Sequence, residues 1–242
     1  MESYYAKQLE CLCSQVRPGD REAMEASKRH WNKIAKPLDG LGRMEDLLVK
    51  IAGVVRSEKL CLERKAVVVF CADNGVVAEG VTQTGSEVTA VVTENIARGI
   101  ASVNRMASVA GADVIPIDVG VKGRLQETGI RNCRIADGTA NLLHEPAMTM
   151  EQTLEAIHTG IALAGELKDS GYDLLAVGEM GIGNTTTSSA IASVMLEQPP
   201  EAVTGRGAGL SGEGLKRKID AIKRAVKLNE PDPSDPVDVL AK

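Results

Sequence analysis

Seven apolar residues in a row, Ala66 to Ala72, stop abruptly at Asp73-Asn74-Gly75. A continuous β-branched run closed by turn residues predicts a strand buried on two faces, the habit of parallel sheets. Val114–Asp118 and Asp173–Val177 predict two more strands. Around them the apolar positions recur at helical spacing. A first helix is expected over residues 3–16, with Tyr4, Leu9, Leu12 and Val16 as packing positions. A second begins near Arg21 and stops at Lys36-Pro37, because the residue before a proline is pushed out of the α region. A third runs through Met44, Leu47, Leu48, Ile51 and Val55. One long helix is expected to carry Val88, Val92, Ile96, Ile100, Val103, Ala107 and Ala110, with Gly111 as its stop. Thr149-x-x-Gln152 is a capping-box pattern that opens a helix to about Lys168. Further helices are predicted from about Asn184 through Leu196, closed by Pro199-Pro200, and from Glu213 to Lys227. Val237–Lys242 begins a helical pattern with no evident cap or apolar partner. Strands alternating with helices predict an α/β fold on a parallel sheet with right-handed crossovers.

Composition narrows the function classes. At 242 residues the chain has room for one large domain or somewhat more. It carries 28 Lys+Arg against 33 Asp+Glu, a formal net charge of −5, and one Trp, three Tyr and one Phe. An acidic chain gains little from phosphate-backbone counterion release, and stacking platforms for single strands need aromatics. No nucleic-acid partner is expected. The longest apolar run is far short of the roughly 20 residues of a membrane span, and no apolar h-region marks the N-terminus, so neither membrane nor secretory routing is expected. Cys11, Cys13, Cys61, Cys71 and Cys133 form an odd set without a C-x-x-C pair, which favours reduced thiols and a cytoplasmic setting. The histidines, His30, His144 and His158, are scattered, so no metal is expected.

Three segments carry candidate chemistry. In GEMGIGNTTTSS, Gly178, Gly181 and Gly183 follow a predicted strand, and Asn184 opens a helix with five hydroxyl residues behind it. Glycine lets backbone approach an anion, and a helix start presents unpaired N–H groups and the positive dipole end, so phosphate is the expected guest. The pattern is neither G-x-G-x-x-G nor a P-loop, so neither a dinucleotide fold nor an ATP-type loop is implied. A second glycine-rich stretch, 204–214, precedes a helix on which Lys218 sits at the edge of the apolar stripe. A solvated lysine is the default expectation there. The third is the turn at Asp73, on the strand edge where open α/β sheets bind ligands, with Asp118 ending the next strand on that edge. Asp73 alone reads equally well as a turn cap, Glu79 and Glu87 as solvated carboxylates, and Lys36 and Arg43 as surface charges.

Taken in order, KPLDGLGRMEDL (36–47), FCADNGVVAEGVTQTGSEVT (70–89), DVGV (118–121), GTANLLHEPAMT (138–149), GEMGIGNTTTSSA (178–190) and GRGAGL (205–210) with Lys218 downstream resemble the nicotinate-nucleotide:dimethylbenzimidazole phosphoribosyltransferase family. The resemblance implies a Rossmann-like parallel sheet flanked by helices, with a smaller helical domain from the chain ends, incomplete here, and a homodimer. On that basis residues 1–60 would join the small domain, 61–230 form the phosphoribosyl-binding domain, and 231–242 begin a C-terminal segment that relatives continue. The implied reaction moves 5-phosphoribosyl from nicotinate mononucleotide to 5,6-dimethylbenzimidazole or a similar base, with no cofactor. The implied substrate-binding residues are Asp73, Ser86, Glu87, Gly178, Met180, Gly181, Ile182, Gly183, Asn184, Thr185, Thr186, Gly207, Gly209 and Lys218, with Glu179 in a supporting electrostatic role. The family's general-base glutamate is expected beyond Lys242, and Ser86 stands where many relatives carry glutamine beside the incoming base. Two further classes stay open: a non-catalytic nucleotide-binding subunit beside a longer homologue, and an unrelated phosphate-binding enzyme such as a kinase.

Overall fold

The computed structural model describes residues 4–242, so Ser3, the expected start of the first helix, lies outside them. The chain divides into two compact units, 4–63 and 64–242.

The first unit is helical: α1 (Tyr4–Gln15), α2 (Arg21–Lys33) and α3 (Arg43–Val55). α1 buries none of its residues. The expected packing positions Tyr4, Leu12 and Val16 are exposed and Leu9 is half-buried, and Val16 falls beyond the helix end. α2 starts on Asp20, whose carboxylate accepts from the Ala23 N–H at 3.0 Å. It ends three residues earlier than expected, because Ile34 already turns extended ahead of Pro37. Gly53 lets α3 close on α2, since a Cβ there would stand 2.6 Å from Met24. Lys36 is not the surface charge the sequence suggested. Its ammonium lies 2.8 Å from Glu45, a fully buried carboxylate that also accepts from the Leu41 N–H at 3.0 Å. The Lys36 hydrogen bond, then that of Leu41, holds the Glu45 carboxyl below its ordinary value of 4.5. A depressed acid stabilises the fold above its unfolded pKa, and the stabilisation is lost as pH falls through the folded value. Lys36→Met removes the larger cause. Its helical signal in circular dichroism is expected to start falling at a higher pH than that of the wild-type chain during acid titration.

The second unit holds a four-stranded parallel sheet of order β3-β2-β1-β4, formed by β1 (Lys65–Ala72), β2 (Ala112–Gly120), β3 (Arg131–Asn132) and β4 (Leu174–Met180). Its helices are α4 (Glu87–Ala97), α5 (Ser102–Ala110), α6 (Met150–Asp169), α7 (Asn184–Met195), α8 (Pro200–Val203), α9 (Gly212–Asn229) and α10 (Pro236–Ala241). β1 is central, as its unbroken apolar run requires. Val68 packs with Ile117, Leu163 and Leu167 on the α6 face, while Val69 and Cys71 pack with Ile96 and Val121 on the α4 face. β2 tolerates Pro116 because β3 reaches only Ile117 and Asp118, leaving no ladder bond for a proline to miss. β4 is an edge strand with Val177 76% exposed.

The long helix expected to end at Gly111 is two helices, because Gly99 turns left-handed (φ +77°) and Asn104 locks the break. The Asn104 side chain accepts from the Ala101 N–H and donates to the Ile96 carbonyl, each at 3.1 Å. The C-terminal residues are also capped and packed: Asp235 accepts from the Val237 and Asp238 N–H groups, and Val239 and Ala241 are buried. Residues 231–242 belong to this larger unit. The capping box at Thr149 forms as expected, with Thr149 and Gln152 exchanging side-chain bonds to each other's N–H. β3 and α8 had no sequence counterpart, being two and four residues long. Among the described residues no helix is long and apolar enough to cross a membrane.

Candidate active site

The C-terminal ends of β1 and β4 lie side by side, and each runs into a turn built by glycine. β1 leads to Asp73-Asn74-Gly75, and β4 leads through Gly181-Ile182-Gly183 into α7. A Cβ on Gly181 would stand 2.3 Å from the Ala72 carbonyl oxygen, so only glycine lets the two turns nest. Gly183 sits at φ +95° and is packed against Asn74 and Val77, so it needs glycine twice over. Gly178, by contrast, lies within β4 opposite Val69, where a Cβ would make ordinary contacts. Met180 packs with the core cluster under α4.

At the mouth of α7 the chain answers several of its own donors. The Asn184 N–H goes to the Gly181 carbonyl, and the Thr186 and Thr187 N–H groups go to that of Gly183. The Thr185 N–H goes to Asn184 Oδ1 at 2.7 Å, and Asn184 Nδ2 donates to the Glu179 carboxylate. The seat expected from bare peptide amides is therefore occupied by the Asn184 side chain. The distinctive group is Lys218. Only 1% of it is exposed, which overturns the default expectation of a solvated lysine. α9 turns it inward because its neighbours Ala221 and Ile222 are buried on the same stripe. Its ammonium donates to Thr185 Oγ1 at 2.6 Å and to the Gly205 carbonyl at 3.2 Å, and among the described residues it has no carboxylate partner. Burial pushes its pKa below the ordinary 10.5. Thr186 Oγ1, on the residue after Thr185, is buried without a hydrogen-bond partner.

The second glycine stretch closes over this cluster. Gly207 (φ +56°) approaches so near that a Cβ would stand 2.8 Å from Thr185 Oγ1. Gln83 donates to the Gly209 carbonyl at 2.5 Å, and Arg217 donates to that of Gly80 at 3.3 Å. The structure thus brings Glu179, Asn184, Thr185, Lys218 and Gly207 to one mouth, with Gly209 tied through Gln83 to the loop that leads into Ser86 and α4. Ser86 precedes α4 without capping it through its side chain, and Glu87 is exposed in the first turn. Asp73 is buried: Oδ2 accepts from the Lys122 N–H at 2.7 Å, and Oδ1 has no partner. Asp118 is occupied by the Gly120 and Val121 N–H groups and by Arg134. Glu79 accepts from the Asn141 amide.

Sequence reading missed Asn74, Gln83 and Thr89. Thr89 Oγ1 accepts from the Ile182 N–H at 3.1 Å, and Asn74 Nδ2 donates to the Ile182 carbonyl at 3.0 Å. The available signal was Thr89 and Thr93, polar residues four apart on the apolar face of a helix. An apolar groove lined by Leu142, Ile191, Val194, Val226 and Leu240 also runs beside α7, but it includes none of Glu179, Thr185 or Lys218.

A family described as Phosphoribosyltransferase matches residues 16–242. The chain belongs to this family. It is 45% identical over 222 residues to the nicotinate-nucleotide–dimethylbenzimidazole phosphoribosyltransferase of Acetivibrio thermocellus, which covers 92% of this chain and 63% of that protein. The enzyme of the same name from Ruminiclostridium cellulolyticum is 44% identical, covering 91% and 63%. Among solved structures, CobT from Thermus thermophilus superposes with a TM-score of 0.85 at 40% identity, covering 91% of this chain and 66% of that one. The phosphoribosyltransferase fold therefore extends over nearly all of this chain, while the chain spans somewhat less than two thirds of those curated relatives.

Proposed function

We propose that the mouth of α7 holds the phosphoribosyl group of nicotinate mononucleotide, and that the protein serves transfer of that group to 5,6-dimethylbenzimidazole or a similar base. The observation that carries this reading is Lys218, a buried ammonium with neutral partners only, at the start of a helix. A buried cation without a counter-ion is costly, and a phosphate dianion beside it would remove that cost. The relatives' names supply the substrates, and the mouth supplies the anion chemistry. Rotation of the Asn184 side chain would free the Thr185 N–H for a phosphate oxygen, so that Asn184 Oδ1 keeps the place of the guest. In the transfer, the bond from the anomeric carbon to the pyridinium nitrogen breaks, and nicotinate leaves with the electron pair. The azole nitrogen then bonds to that carbon, and its partner nitrogen gives up a proton. Glu179, at the edge of the mouth, stabilises positive charge on the ribose. The azole proton needs a separate acceptor, because Glu179 is assigned to the sugar. Assembly as a homodimer belongs to the same reading.

Isothermal titration with nicotinate mononucleotide tests the proposal. Saturable binding at one site per chain is expected, with inorganic phosphate competing. Absence of binding to this chain at millimolar nucleotide sinks it.

A further inference from the structure

The backbone of Ile182 is held from two sides, at its N–H and its carbonyl, by elements that are remote in sequence. On one side Thr89 Oγ1, fully buried on α4, accepts its N–H at 3.1 Å; on the other the Asn74 amide, from the turn after β1, donates to its carbonyl at 3.0 Å. Thr89 is itself fixed, its N–H bonded to the Ser86 carbonyl and its carbonyl accepting from Thr93 Oγ1 at 2.8 Å. Ile182 lies between the two glycines that shape the turn, and the carbonyls of Gly181 and Gly183 anchor the first turn of α7.

We infer that Thr89 and Asn74 are positioning residues that set the affinity of the α7 mouth for a phosphate ester by locking the backbone of Ile182. The inference rests on the function proposed above and deepens it. Two glycines flanking one residue make a turn with many accessible conformations, and ordering it at the moment of binding would subtract from affinity. The clamp places that ordering in the folded chain beforehand. Neither residue needs to touch the ligand, and the effect passes through the backbone of one residue, the two peptide units that meet at Ile182.

Thr89→Val keeps the shape of the side chain and deletes the acceptor; Thr89→Ser keeps the acceptor. Two readouts separate this inference from the function it rests on. The first is amide exchange at Ile182 in the ligand-free protein, followed by NMR. Thr89→Val is expected to speed it at least about 10-fold while amides in the middle of β4 keep their rates, and Thr89→Ser is expected to stay near wild type. The second is nicotinate mononucleotide titration, in which Thr89→Val and Asn74→Ala are each expected to weaken binding about 10-fold and Thr89→Ser to restore it. Wild-type affinity in Thr89→Val, unchanged Ile182 exchange, or a serine variant as impaired as the valine one overturns the inference. If the wild-type chain binds no nucleotide, the proposed function fails. The affinity claim falls with it, although faster Ile182 exchange in Thr89→Val would still establish the lock.

Discussion

Lys218→Met is expected to weaken binding of nicotinate mononucleotide by about 30-fold while making the ligand-free protein more stable at neutral pH. The two effects have opposite signs because one group causes both. A hydrogen bond between an ammonium and an anion contributes about 2 kcal/mol, which is about 30-fold in affinity. Without the anion, the same ammonium sits among a hydroxyl, a carbonyl and apolar side chains, and methionine fills a similar volume with no charge to desolvate. The pH dependence follows from the direction of the shift. Burial lowers the pKa of Lys218 in the folded chain below its ordinary 10.5. As pH rises towards 10.5 the folded chain therefore sheds this proton before the unfolded chain does, and stability rises over that window. The advantage of the methionine variant in thermal unfolding is expected to be largest at pH 7 and to shrink as pH approaches 10.5. A variant that unfolds at a lower temperature than wild type at pH 7, or that binds nucleotide as tightly, contradicts the role given to this lysine.

Gly181→Ala is expected to destabilise the larger unit by about 3 kcal/mol and to abolish nucleotide binding. The new Cβ would meet the Ala72 carbonyl oxygen at 2.3 Å and Asn74 Nδ2 at 2.9 Å. The first is backbone of the central strand and cannot turn aside, so the β4–α7 turn itself must move. Forced overpacking costs roughly 1–3 kcal/mol, and a contact with fixed backbone belongs at the upper end. The displaced segment is the one that aims Thr185 at Lys218. Gly178→Ala is the control: three residues away, its Cβ would meet Val69 at 3.8 Å and would leave the turn in place. Comparable denaturation midpoints for the two variants would show that the turn does not depend on this close approach.

Much of this protein was legible in the sequence because the signals were local. The run from Ala66 to Ala72 specified a strand covered on two faces, and the Thr149 capping box, Gly111 and Pro199-Pro200 marked helix ends through backbone geometry that residues three or four apart decide. The glycine stretches were legible for the same reason, as were the order of motifs and the family they resemble. The break at Gly99 was not. A helical period continues across it, and the break depends on a left-handed Gly99 together with the Asn104 side chain, which reaches to Ala101 and Ile96. The end of the chain misled similarly: Val239 and Ala241 look unpartnered until α6 and α7 are in place to cover them.

The amino-acid order by itself determined that a parallel α/β unit would carry glycine-built turns and a lysine near the second of them. Tertiary structure decided what those groups do, because burial and desolvation belong to no residue alone. Lys218 reads as a solvated charge at the edge of a stripe until the packing of α9 removes its water. Lys36 is one more surface cation until Glu45 is enclosed beside it. Thr89 and Asn74, fifteen positions apart and about a hundred from Ile182, become partners only when β1, α4 and β4 meet, since a hydrogen bond reads distance in space and not in sequence.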